Sequence, residues 1–268
     1  MPYLPVIARA GLHYWEEPCI SGKNGSGTVF FSGCSVKCCY CQNYQISFEN
    51  FGKTQTVEQL IDIFKDLEML GANNINLVTP THYTHIIKKA LDAYKPNIPI
   101  VYNSSGYDSV EEIDKLKDYI DIFLVDLKYL SSEKSLKYSK AEDYPNVATK
   151  FIKYCTMLQP KNLLNDRGIM QKGVIVRHLI LPQGTNEAIK VIDWVEKNTP
   201  DVYLSLMSQY TPCGNIGAFK ELNRQITNRE YQKVLSYAVG KNIAEIFTQD
   251  IKSSSKKFIP SFDLSGTK

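Results

Sequence analysis

The chain has 268 residues, 43% of them apolar, enough for one large domain with a buried core, and a second domain is not required. Charged residues make up 22% and the formal net charge is +3; no basic run exceeds two residues, so nucleic acid is not an expected partner. The start, MPYLPVIARAGLHYWEEP, lacks the charged head and continuous apolar centre of a signal peptide, and no apolar stretch approaches membrane-spanning length. The expectation is a cytoplasmic protein with no membrane partner.

Strand-like and helix-like segments alternate along the chain. GTVFFSG (27–33) predicts a first strand, running into the cluster GCSVKCCYCQN. TVEQLIDIFKDLEML (56–70) has Val57, Leu60, Ile61, Phe64 and Leu67 at helical spacing, with Thr56 and Gln59 as a capping box and Gly71 as a stop. NINLVTP (74–80) predicts a second strand, and HYTHIIKKALDAY a helix with Ile86, Ile87, Ala90, Leu91 and Tyr94 on one face. IPIVYNSS (98–105) is the third strand, followed by a helix that Ser109 and Glu112 are expected to cap. IDIFLVDLKY (120–129) is the fourth, apolar enough to be covered on both faces.

A helical region spans 131–160, with KNLLNDRG as a loop after it. GVIVRHLIL (173–181), the helix TNEAIKVIDWVEKN and VYLSLMSQY (202–210) complete the pattern, followed by the helix NREYQKVLSYAVGK and a Lys- and Ser-rich tail expected to be frayed. Six strand-then-helix units predict an α/β fold, a parallel sheet closing part of a barrel with helices outside. Reactive groups in such sheets collect at the carboxyl ends of the strands, which places the cysteines, VTPTH, NSSGY, VDLKY and SQYTP on one rim.

Four of the seven cysteines fall in eight positions, too close for a spaced disulfide framework. Cys34, Cys38 and Cys41 form C-x3-C-x2-C, with Cys39 between the last two. A structural zinc site needs four protein ligands, usually in two separated pairs, and an electron-transfer cluster also uses four cysteines as a rule. Cys19, Cys155 and Cys213 are each isolated as a fourth ligand. A third arrangement is a 4Fe-4S cluster on three thiolates with one iron left open.

The C-x3-C-x2-C spacing at the end of the first strand, with aromatic Tyr40 before the last cysteine, resembles the radical S-adenosylmethionine (radical SAM) superfamily. WEEPCISGKNGSGTVFFSGC, QNYQIS and Asp126-Leu127-Lys128 are similar to its pyruvate formate-lyase activating-enzyme-like branch. The resemblance implies a partial (β/α)6 barrel with a core at about residues 9–210, a C-terminal helical extension and a polar tail. It implies a 4Fe-4S cluster on Cys34, Cys38 and Cys41, with S-adenosylmethionine on the open iron and Cys39 a small buried spectator. Thr79 and Thr81 take the place of the Gly-Gly-Glu-type turn that receives the cofactor's amino group. Asn103 and Ser105 stand at the ribose turn, where Gly106 permits a close approach, and Arg177 at the position that meets the methionine carboxylate.

Asp126 and Lys128 share one face by period-two geometry, the barrel interior. Buried there, they need each other or a polar ligand. Arg177 and His178 are adjacent on a strand, so only one points inward, and the guanidinium fork suits a carboxylate. Two function classes remain open. One is a radical enzyme, fed by a one-electron donor such as flavodoxin or ferredoxin and acting on a glycyl-radical protein or on another substrate. The other is an iron–sulfur or metal-binding module without turnover.

Overall fold

The computed structural model describes residues 4–249 and 260–268. The chain enters on a strand the sequence pattern did not predict, β1 (Val6–His13), then passes through a short helix, α1 (Pro18–Ser21), into β2 (Ser26–Phe31). β1 and β2 pair antiparallel from Ile7↔Phe31 to His13↔Ser26. After the cysteine loop come α2 (Tyr44–Ser47) and β3 (Lys53–Thr54), the latter antiparallel to β1.

The alternating region then follows: α3 (Val57–Met69), β4 (Ile75–Val78), a 3-10 turn (Thr81–Tyr83), α4 (Thr84–Ala93), β5 (Ile100–Ser104), α5 (Val110–Asp114) and β6 (Ile122–Asp126). Two helices, α6 (Ser132–Ser139) and α7 (Tyr144–Leu158), precede a two-residue β7 (Leu163–Leu164) and β8 (Met170–Leu179). The chain continues through α8 (Thr185–Asn198), β9 (Tyr203–Met207), α9 (Asn228–Ala238) and β10 (Glu245–Thr248).

The strands lie in the order β10-β9-β8-β6-β5-β4-β2-β1-β3, parallel from β2 to β10, and the sheet does not close. The six expected strands are all present. A seventh parallel one, β10, lies where only the polar tail was expected, and the expected loop KNLLNDRG contains β7, antiparallel to β8.

Local signals account for most of these elements. The Thr56–Gln59 capping box at α3 is complete in both directions. At α5 only half forms: Ser109 accepts from Glu112 N–H at 3.3 Å, while the Glu112 carboxylate turns to Lys115 and Thr84.

Strand alternation creates two cores. One face buries Phe31, Leu77, Tyr102, Phe123, Val176 and Leu204 beneath the helices. The inner face is apolar low in the barrel, where Cys19 and Ile20 of α1 pack on Val101, Ile122, Leu124 and Ile175. Above that plug the inner face turns polar with Asn76, Asn103, Asp126 and Arg177, and the site begins there.

The expected frayed tail needs correction. Residues 260–268 run along β1, with Leu264 N–H donating to Ala8 O at 3.0 Å and Ala10 N–H to Ser265 O at 2.9 Å, while Phe262 meets Phe30 edge-on at 5.5 Å. Backbone pairing and one partly buried ring thus order a segment whose composition reads as loose. The Lys256-Lys257 part of the tail lies outside the described residues. Among the described residues no helix is long and apolar enough to cross a membrane.

Candidate functional site

The cysteine loop leaves β2 at Phe31 and is tied to the end of α6. Cys39 N–H donates to Tyr138 O at 2.8 Å and Lys37 N–H to Ser139 O at 3.3 Å. A file of buried hydroxyls ends on one of its sulfurs: Tyr40 Oη meets Tyr129 Oη at 2.6 Å, Tyr129 Oη meets Ser139 Oγ at 2.9 Å, and Ser139 Oγ donates to Cys38 Sγ at 3.1 Å. The Cys41 thiol donates to Ser47 Oγ at 3.4 Å, and Cys213 Sγ to Tyr40 O at 3.3 Å. Cys39 was expected to be buried. It is half-buried, because its N–H anchors the loop to α6 without drawing the side chain fully inward.

Burial pushes the Cys34 thiol up to about 12, with Cys38 and Cys41 adding to the shift, and burial also raises Cys38. Thiolates here therefore need a cationic partner. Among the described residues no three His, Cys, Asp or Glu side chains converge on a point that suits a single ion. A cubane makes a different demand, one thiolate per iron at separate corners, and three cysteines of one short loop suit it.

Beside the loop lies an open cleft of about 1030 Å³ including its solvent-filled mouth. Cys38, Tyr40 and Cys41 line one side and Asn103, Asp126, Lys128 and Arg177 another, with Phe30, Val78 and Met207 as apolar wall. Cys34, Thr79, Thr81 and Ser105 are not part of that lining. Cys34 lines a neighbouring recess with Lys37, Asn50 and His82. The hydroxyls of Thr81 and Ser105 and Nδ1 of His82 are buried without a hydrogen-bond partner among the described residues. Thr79 holds φ at +57°, a costly conformation for a β-branched residue, while its N–H donates to Asn103 O at 2.8 Å. The close approach that Gly106 permits is to β6: a Cβ there would stand 2.3 Å from Asp126 O.

Arg177 organises the floor of the cleft. Its Nε donates to Asp126 Oδ1 at 2.9 Å, one terminal nitrogen to Glu16 Oε2 at 3.1 Å and the other to Asn103 Oδ1 at 2.6 Å. Lys128 Nζ takes the second Asp126 oxygen at 2.5 Å. Burial works to raise the Asp126 carboxyl, but Arg177 and Lys128 outweigh it and hold the group below its ordinary range. Glu16 shows the opposite balance: burial dominates the single guanidinium and the carboxyl is raised. His178, on the other face of β8, turns Nδ1 to Leu127 O at 2.7 Å.

Sequence reasoning missed Glu16 and its neighbour Asn76, which donates to Glu16 Oε1 at 3.3 Å. The available signal was weak, an acidic pair before a proline, a pattern that ordinarily marks a solvated turn.

Over residues 28–194 the chain matches the Radical SAM superfamily. It is 31% identical over 246 residues to the uncharacterised protein MJ0674 of Methanocaldococcus jannaschii, across 88% of this chain and 68% of that one. It is 26% identical over 196 residues to the putative glycyl-radical enzyme activating enzyme MJ1227 of the same organism, across 71% of this chain and 75% of that one. Among solved structures it is similar in fold to Streptococcus suis SuiB bound to S-adenosylmethionine, with a TM-score of 0.56 and 15% identity over 81% of this chain and 48% of that one. The FeFe-hydrogenase maturase HydG of Carboxydothermus hydrogenoformans gives a TM-score of 0.54 and 13% identity over 87% of this chain and 56% of that one. The chain spans about half the length of these two structures, and at such identities the likeness shows the fold alone.

Proposed function

This chain belongs to the radical SAM superfamily, and on that premise we propose that its rim cleft binds S-adenosylmethionine next to a 4Fe-4S cluster on Cys34, Cys38 and Cys41. The observation that carries the reading is that Asn103, Asp126, Lys128 and Arg177, from three different strand ends, share one cleft with Cys38 and Cys41. A reduced cluster of this kind supplies one electron to the bound sulfonium, whose cleavage gives methionine and a 5′-deoxyadenosyl radical able to abstract hydrogen.

The chain's own residues bind and shield. Arg177 and Lys128 present cationic donors for the carboxylate of the methionine moiety, and Asp126 keeps both oriented. Asn103 offers polar contact to the ribose. Thr79 and Thr81 belong to the turn beside the cleft, and since neither lines it, the amino group would meet that turn only through its backbone. Phe30, Val78 and Met207 exclude water where a radical would form.

For the substrate, the likeness to a putative glycyl-radical enzyme activating enzyme supports a partner-protein glycine. The open side of the sheet supplies a lateral entry for an extended peptide. A flavodoxin or ferredoxin would deliver the electron, in the cytoplasm. The test is electron paramagnetic resonance of the reduced enzyme with candidate glycyl-radical proteins of the same cell. A persistent doublet with glycine hyperfine splitting supports activation, and turnover with only a small molecule refutes it. A small-molecule substrate is the second reading, favoured by a recess adjoining the cleft.

A further inference from the structure

That recess encloses about 540 Å³ including its open mouth, between α6, the β8–α8 loop and the 3-10 turn Lys220–Leu222. It shares Lys128 and Leu179 with the cofactor cleft as a common wall. Tyr129 forms another part of its lining and bonds Tyr40 in the cleft. A molecule held here is parted from the cofactor cleft by the side chains of Lys128 and Leu179.

The recess has recognition capacity of both signs. Lys137 Nζ gives one hydrogen to Glu221 Oε1 at 2.6 Å, and Lys134 Nζ lies 3.3 Å from Glu187 Oε2, so each ammonium retains donors. The 14-residue helix α8 begins at the recess with Gly184 as its N-cap and no side-chain cap. These groups favour a carboxylate.

Acceptors line the same recess. His178 is 2% exposed and lines the recess; its Nδ1 must carry the hydrogen given to Leu127 O, which leaves Nε2 as a lone-pair acceptor. Burial lowers the pKa of this ring and keeps it neutral. Glu221 accepts from Lys137 and Tyr138 on Oε1 alone, at 2.6 and 2.7 Å, leaving Oε2 for a cation. Glu187 is committed differently, taking the N–H groups of Leu130 and Ser131 at 2.6 and 2.9 Å, and serves as a strut.

We propose that this recess is a substrate pocket for a small zwitterion carrying a carboxylate and an ammonium, the class of free amino acids. The carboxylate sits toward Lys134, Lys137 and the start of α8, and the ammonium toward His178 Nε2 and Glu221. The inference rests on the small-molecule reading of the radical site.

The experiment is ligand-observed NMR on the anaerobic holoprotein with three probes: the twenty free amino acids, an acetylated and amidated glycine tripeptide, and S-adenosylmethionine. At least one free amino acid is expected to bind. Lys137→Met, at a position whose side chain is 45% exposed, is expected to weaken it roughly tenfold, as is His178→Gln, with the fold of each variant checked by circular dichroism and S-adenosylmethionine binding unchanged in Lys137→Met. The proposal is overturned if no free amino acid binds, or if binding survives Lys137→Met undiminished. It is equally overturned if only the blocked tripeptide binds, or if Lys137→Met weakens S-adenosylmethionine as well. A wild type that fails to bind S-adenosylmethionine at all counts against the cofactor cleft, so the two failures are distinguishable.

Discussion

Two carboxylates hold the same guanidinium, and replacing each by its amide is expected to give opposite results. Asp126 accepts from Arg177 and Lys128, and in Asp126→Asn the new NH2 must face one of these cations. A hydrogen bond to a charged group contributes about 1.5–3 kcal/mol, and breaking a buried ion pair costs about 3–5 kcal/mol. Because the pair is partly solvated, a loss of about 2–3 kcal/mol is the expectation. The shift gives the pH signature. The folded-state carboxyl lies below its ordinary 3.8, so its contribution is present above 3.8 and is lost as pH falls through the folded value.

Glu16 has one cation, Arg177, and two amide donors, Asn76 and Asn103, against burial and the nearby Asp126, and its carboxyl lies above the ordinary 4.5. Ionising it therefore weakens the fold as pH rises from 4.5, and Glu16→Gln removes that loss. The expected result at pH 7 is a change within about 1 kcal/mol, toward greater stability. Urea unfolding of the apoprotein under anaerobic conditions reads both variants as midpoint shifts at constant slope. An Asp126→Asn protein as stable as wild type, or a Glu16→Gln protein destabilised by more than the Asp126 variant, would refute this balance of burial against pairing.

Ser139→Ala removes the hydrogen bond to Cys38 Sγ and should lower the cluster's reduction potential at unchanged iron content, because donors to sulfur favour the reduced form. A redox titration checks this; a shift of about 59 mV corresponds to a tenfold change for a one-electron couple, and no shift sinks the idea. Cys39→Ala should leave iron binding intact while Cys38→Ala abolishes it, measured as iron per chain after anaerobic reconstitution. Lys137, then Tyr138, hold the Glu221 carboxyl down at about 2 from an ordinary 4.5, so this contact supports the fold above 4.5 and fades as pH falls toward 2. Acid unfolding of Glu221→Gln should lack that component, and an unchanged acid limb would contradict it.

The parallel strands were legible because their residues form short apolar runs, IFLVD being the plainest, and the α3 cap because Thr56 and Gln59 sit three apart. β1 escaped because VIARAGLH carries Arg9 and Gly11 on a half-buried ladder, and β10 because EIFT is short with both ends exposed. Asp126 and Arg177 stood out as charges inside apolar runs. Glu16 did not, since its bond to Arg177 spans 161 positions and only the fold brings α1's approach beneath the rim. The apolar plug of Cys19 and Ile20 was hidden for the same reason. Nor does composition disclose backbone strain: Thr79 reads as an ordinary residue before proline, yet holds a left-handed conformation.

The central claim is that Cys34, Cys38 and Cys41 support reductive cleavage of S-adenosylmethionine in the adjoining cleft. Anaerobically reconstituted protein, reduced with dithionite in the presence of S-adenosylmethionine, should release 5′-deoxyadenosine and methionine in equal amounts, and should release neither when any of the three cysteines is replaced by alanine. Iron-loaded, reduced wild type that binds S-adenosylmethionine and forms no 5′-deoxyadenosine would contradict the account.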